Sequence, residues 1–170
     1  VVPPGTLFVA ISQSGETADT LAAMRASRDR GHLGVFAVCN APESSLVREA
    51  DLVLMTRAGP EIGVASTKAF TTQLAALALL SLELGRLNGL DATLYRQHVG
   101  ELATLPRMIG EALTMEPAIA TLAERFVNKQ HALFLGRGSH HPVALEGALK
   151  LKEISYIHAE GYPAGELKHG

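Results

Sequence analysis

Three short apolar runs constrain this chain more than any other feature. Leu7–Ser12 (LFVAIS), Gly34–Asn40 (GVFAVCN) and Asp51–Thr56 (DLVLMT) are continuous in hydrophobicity instead of alternating. Runs of that length and composition read as buried strands. Between the first two lies Ser14–Arg30, with Ala18, Leu21, Ala22 and Met24 at helical spacing and Gly31 as its stop. Between the second and third, Ser44–Ala50 reads as a short helix. Buried strands alternating with helices are the signature of a parallel sheet covered on both faces, a three-layer α/β architecture.

The rest of the chain repeats that grammar after an interruption. A Gly- and Pro-bearing loop, Arg57–Ala65, leads into a long helix from Ser66 to about Arg86, closed by Asn88-Gly89. Asp91–Met115 and Pro117–Asn128 are amphipathic and read as an all-helical connector. Ala132–Gly136 (ALFLG) is then a strand, His141–Tyr156 a helix, and the polar, Gly-rich His158–Gly170 a loop. The expected organisation is most of one α/β unit over residues 1–90, a connector over 91–130, and the opening of a second unit over 131–170. The two strand-turn-helix units hint at an internal duplication. A chain that starts with Val1 and stops at Gly170 after a motif-like run is expected to be a piece of a longer protein.

Composition excludes several functions. With 47% apolar and 19% charged residues, the chain has material for a core and is not intrinsically disordered. Its 15 basic and 17 acidic residues give a net charge of -2, which offers nucleic acid no footprint. Aromatics at 5% and no Trp argue against stacking on single strands. The longest apolar stretch, Leu74–Leu84, is broken by Ser81 and Glu83 and is too short for a membrane. The single cysteine, Cys39, cannot form an intrachain disulfide, so a reducing, cytoplasmic setting is expected, with Cys39 as a small buried apolar residue.

Four segments carry chemistry. Ser12-Gln13-Ser14-Gly15-Glu16-Thr17 stands where a buried parallel strand hands over to a helix. Ligands of open α/β sheets bind at that carboxyl edge, and the helix N-terminus beside it favours an anion such as phosphate. The same pattern fits plain helix capping by Ser12 or Ser14. Val64-Ala65-Ser66-Thr67-Lys68 repeats the theme at a second helix start, again with capping as the alternative. Glu146, Lys150 and Glu153 fall within a ~60° arc of a helix, either an active-site wall or a solvated i,i+4 stripe, while Lys152 projects into the apolar arc. The final run holds His169, the one side chain there able to shuttle a proton near neutral pH. Nucleotide motifs fail, because Gly136-Arg137-Gly138 lacks the third glycine of GxGxxG and no GxxxxGK[ST] occurs. His140-His141 is a candidate metal or sugar contact, weak as a bare pair, and no metal and no cofactor are expected.

Ser12–Thr17 (SQSGET), Glu61–Thr72 (EIGVASTKAFTT) and Glu146–Gly170 (EGALKLKEISYIHAEGYPAGELKHG), in that order, resemble the sugar isomerase (SIS) domains forming the isomerase half of the glutamine–fructose-6-phosphate aminotransferases. The resemblance implies the flavodoxin-like or Rossmann-like SIS fold, here an incomplete first domain and the start of a second. It implies that Ser12, Gln13, Ser14 and Thr17 bind the phosphate of fructose 6-phosphate, glucosamine 6-phosphate or glucose 6-phosphate, with Val64 and Ser66 against the sugar. Glu153 would be the base moving a proton between C1 and C2, Lys150 would orient or open the sugar, and Glu146 would add a polar contact. His169 matches the family's ring-opening histidine, which a neighbouring subunit contributes, so a homo-oligomer is expected. By the same resemblance, this stretch is expected not to include the family's glutaminase domain with its cysteine nucleophile or its C-terminal tail with an active-site lysine. The segment is therefore expected to bind without turning over. The alternative is a non-catalytic SIS module that senses a sugar phosphate, which would need the hydroxyls of the turn but neither Glu153 nor His169.

Overall fold

The computed structural model describes Pro3 and residues 5–169, with the side chain of His169 outside that description. The chain divides into two compact units, Val1–Ile62 with Thr67–Ala103, and Gly63–Ser66 with Thr104–Gly170. Each is described by itself.

In the first unit the apolar runs become β1 (Leu7–Ser12), β2 (Gly34–Cys39) and β3 (Leu52–Met55), separated by the helices α1 (Ala18–Arg28) and α2 (Ser45–Glu49). Two further helices follow, α3 (Lys68–Leu87) and α4 (Ala92–Ala103). The strands form a parallel sheet of order β1-β2-β3. Its core gathers Ala10 of β1, Leu21 and Met24 of α1, Val35, Ala37 and Cys39 of β2, and Leu46 of α2. Side chains alternate across a strand, so Val38 points to the opposite face of β2; it too is fully buried, and α3 packs against β2. Each such side chain taken wholly from water contributes about 1.5–3 kcal/mol.

Burial on both faces holds for the central strand but not for the edge. Leu7, Val9 and Ile11 of β1 remain 40–42% exposed, while Phe8, Ala10 and Ser12 turn inward. The core helices cover only the Phe8–Ala10 face of this edge strand, which a hydrophobic run alone does not reveal. Register decides what reaches the carboxyl edge. Ser12 pairs with Cys39, and Cys39 with Met55, so the turns after all three strands start at one level.

The second unit opens with α5 (Leu105–Leu113) and α6 (Glu116–Ala123). The expected connector is thus broken more often than its periodicity suggests. Pro106 and Pro117 stand in the first turns of α5 and α6, where a missing N–H starts a helix and cannot continue one. A βαβ unit follows, formed by β4 (His131–Gly136), α7 (His140–Ser155) and β5 (His158–Pro163), with the two strands parallel. β5 corrects the expected loop over His158–Gly170. Its sequence, HAEGYP, buries only Ala159 and shows no apolar period, while Pro163 is tolerated as the last residue of the strand. Gly161 is required because a Cβ there would lie 2.9 Å from the backbone of Leu145. Among the described residues no helix is long and apolar enough to cross a membrane.

Candidate functional site

The turn after β1 is built by its own side chains. Ser12 Oγ accepts the Gly15 N–H at 3.0 Å and Ser14 Oγ accepts the Glu16 N–H at 3.2 Å. Each hydroxyl that accepts a backbone N–H keeps its proton to donate elsewhere. Plain capping of α1 is not what these serines do. The N-cap of α1 is Thr17, which makes no side-chain cap bond, so the four residues Ser14–Thr17 belong to the turn and the helix begins at Ala18.

The underside of the turn is fixed by neighbouring elements. Leu46 N donates to Gly15 O at 3.0 Å, Asn40 N to Gln13 O at 3.3 Å, and Ser45 N to Glu16 Oε1 at 2.7 Å. The bond from Ser45 holds the Glu16 carboxyl below the usual carboxylate range. The Glu16 charge is thereby spent on the start of α2. Gly15 has φ +68°, and a Cβ there would fall 2.1 Å from Ser44 Oγ, so the turn admits only glycine.

Beside Gln13 the carboxyl edge opens into a cavity of about 620 Å³, lined also by Asn40–Pro42, Met55, Arg57, Gly59 and Pro60. That is the size range of small-molecule sites. Sequence reasoning missed Asn40 and Arg57. An Asn directly after a buried strand is a turn signal that could have flagged the first. Nothing in the sequence marks Arg57 as left-handed, with φ +53°.

At the second helix start, Thr67 is the N-cap of α3 and makes no side-chain cap bond; Glu61 Oε2 accepts the Ala69 N–H at 3.0 Å instead. Val64 is 93% exposed and Ser66 half-buried.

In the second unit α7 lays Ala144 and Ala148 against β4 and β5, with Gly147 against the Phe134 ring. The charged stripe is real. Lys150 Nζ donates to Glu153 Oε2 at 2.7 Å and lies 3.4 Å from Glu146 Oε1, all three being partly exposed. Lys152 escapes the apolar arc by staying exposed. The bond to Glu153 pushes the Lys150 ammonium above the ordinary lysine value. A raised folded-state pKa stabilises below the unfolded value and is lost as pH rises through the folded one. Lys150→Met is expected to cost about 0–1 kcal/mol at pH 7, a difference that shrinks above pH 10.5 and is checked by melting both proteins from pH 7 to 11. His169 lies in a 3-10 turn, Leu167–His169, and the expectation for its side chain falls outside the described residues. His140 opens α7, and among the described residues no group of three or more His, Cys, Asp or Glu side chains is placed to hold a metal.

Comparison with known proteins gives a consistent result. The SIS domain family model matches residues 1–82 and 125–170. A glutamine--fructose-6-phosphate aminotransferase (isomerizing) of Pseudomonas putida is 65% identical over 171 residues, covering 100% of this chain and 28% of the relative. The enzyme of that name from Escherichia coli K12 is 62% identical over 165 residues, 97% of this chain and 27% of its own length. The chain thus spans little more than a quarter of these relatives. Among solved structures, the C-terminal domain of glucosamine-fructose-6-phosphate aminotransferase from Francisella tularensis superposes with a TM-score of 0.96 at 55% identity, over 100% of this chain and 48% of that one. A glucosamine-6-phosphate deaminase from Thermotoga maritima gives a TM-score of 0.69 at 25% identity, over 100% of this chain and 49% of that one.

Proposed function

We propose, from the premise that the chain belongs to the SIS domain family, that it is the sugar-phosphate-binding isomerase segment of a glutamine–fructose-6-phosphate aminotransferase. The observation that carries this reading is the turn at the end of β1, whose Ser12 and Ser14 hydroxyls are oriented by the Gly15 and Glu16 amides. Ser12, Gln13, Ser14 and Thr17 take the phosphate there, and its remote binding energy holds the sugar carbons still. Val64 and Ser66 contact the sugar. The exposure of Val64 leaves that side chain available to a ligand.

Glu153 is the base. In the imine of fructose 6-phosphate it removes a proton from C1 and returns it to C2, while the O1 proton passes to nitrogen; C1 becomes an aldehyde and C2 carries the amine of glucosamine 6-phosphate. One carboxylate serves both proton transfers. Lys150, held cationic, orients the sugar oxygens, Glu146 shares its charge, and His169 opens the ring from a neighbouring subunit of a homo-oligomer. The Lys150–Glu153 pair favours an enzyme segment over a sugar-phosphate sensor, which has no use for a carboxylate and cation aimed at a carbon chain. The setting expected for the parent enzyme is the cytoplasm.

The test is a two-dimensional NMR titration of the chain with glucose 6-phosphate. The largest amide shifts are expected over Gln13–Thr17, without any conversion of added fructose 6-phosphate. Shifts confined to other segments would contradict the binding assignment, and turnover by this chain alone would contradict the partial site.

A further inference from the structure

The loop after β3 is held in a way the phosphate turn does not need. Asn40 Oδ1 accepts both the Thr56 hydroxyl at 3.1 Å and the Ala58 N–H at 2.7 Å, and Asn40 Nδ2 donates to Gly59 O at 2.8 Å. These three bonds bracket Arg57 on both sides. They keep it at φ +53°, a conformation that side chains other than glycine rarely adopt. Strain of this kind persists only where the surroundings over-determine it, and it concentrates at ligand sites. Arg57 lines the cavity beside Gln13, and among the described residues its guanidinium has no hydrogen-bonding or ionic partner. The walls around it, Pro42, Met55 and Pro60, are apolar.

We infer that this cavity is a binding subsite for a small organic oxyanion, a phosphate ester or carboxylate, anchored by Arg57 and reached through the loop that Asn40 positions. A planar guanidinium offers two parallel N–H donors to such a group, and an apolar wall suits a carbon skeleton better than a bare inorganic ion. The neutral amides of Gln13 and Asn40 leave Arg57 as the one full charge among the lining residues. Its ligand lies beside the turn at Gln13 and does not depend on Ser14.

Isothermal titration of the chain with gluconate, glucose 6-phosphate and glucose separates the possibilities. Gluconate is expected to bind if a carboxylate suffices, glucose 6-phosphate if the ester is required, and glucose in neither case. Arg57→Gln is expected to weaken the charged ligand at least 10-fold and Arg57→Lys by less, while Ser14→Ala leaves this binding event in place. Arg57→Gly relieves the backbone, so it should raise the melting temperature while losing the ligand. Three results would overturn the inference: no binding of either charged probe, unchanged affinity in Arg57→Gln, or loss of the same event by Ser14→Ala. The last would merge Arg57 with the phosphate turn and leave the proposed function standing. Gluconate binding that needs Arg57, alongside an Arg57→Gln protein whose remaining glucose 6-phosphate binding is indifferent to Ser14→Ala, would keep the subsite and remove the proposed phosphate turn.

Discussion

Gly15→Ala is expected to lower the melting temperature by about 6–12 °C, the equivalent of about 3 kcal/mol in a chain of this size, and to abolish sugar-phosphate binding at the turn. Two costs combine. A left-handed φ of +68° costs an L side chain about 1–2 kcal/mol, and the new methyl would press on Ser44 Oγ at 2.1 Å and Cys39 Sγ at 2.9 Å. The controls separate them. Gly31 also has a positive φ, +76°, but a methyl added there would meet nothing within 4 Å, so Gly31→Ala carries the strain without the clash and should cost about 1–2 kcal/mol. Adding Ser44→Gly to Gly15→Ala should recover part of the difference, since the contact with Cys39 Sγ remains. A Gly15→Ala protein that melts with Gly31→Ala would show that the turn yields freely, and that its hydroxyls are not held by α2.

Gly136→Ala is expected to be more damaging, at about 4 kcal/mol or more, and beyond repair by a second substitution. A Cβ at this position would meet His140 O at 2.2 Å and His141 Cα at 2.7 Å. Both are backbone at the start of α7, so no side chain can swing aside. Either α7 lifts from β4 or the turn between them breaks, and α7 carries Glu146, Lys150 and Glu153. Amide hydrogen exchange reads the outcome directly. Protection across the β4–β5 ladder, from Ala132 to Leu135, should collapse toward unfolded rates while β2 of the first unit keeps its own. Unchanged protection in β4 would mean that the close approach at Gly136 is not what seats the helix.

Much of this was legible from residues alone, and the gaps have physical causes. The central strand β2 reads correctly because both its faces are covered, so its hydrophobic run is unbroken. The edge strand β1 carries the same signal although one face is open, since the sequence encodes apolarity and not which layer covers it. β5 was hidden because parallel pairing uses backbone bonds, which Glu160, Gly161 and Tyr162 supply as well as valines do. At the candidate site, SQSGET and the Glu146–Lys150–Glu153 spacing announce themselves by residue type. Asn40 and Arg57 do not, because their importance lies in a loop clamp and a backbone angle between residues far apart in sequence.

The central claim is that the turn after β1 recognises the phosphate of a sugar. Its most direct test is a thermal-shift titration of the chain with glucose 6-phosphate, with glucose and inorganic phosphate run in parallel. A ligand that binds only the folded state raises the melting temperature by mass action, about 2.7 kcal/mol at a hundredfold excess over Kd. The predicted result is a rise with glucose 6-phosphate, none with glucose, and loss of the rise when Ser14→Ala is added to the Arg57→Gln protein, in which the cavity beside Gln13 no longer contributes. A cooperative melt that glucose 6-phosphate leaves unmoved, or a rise that survives Ser14→Ala in the Arg57→Gln protein, would contradict it.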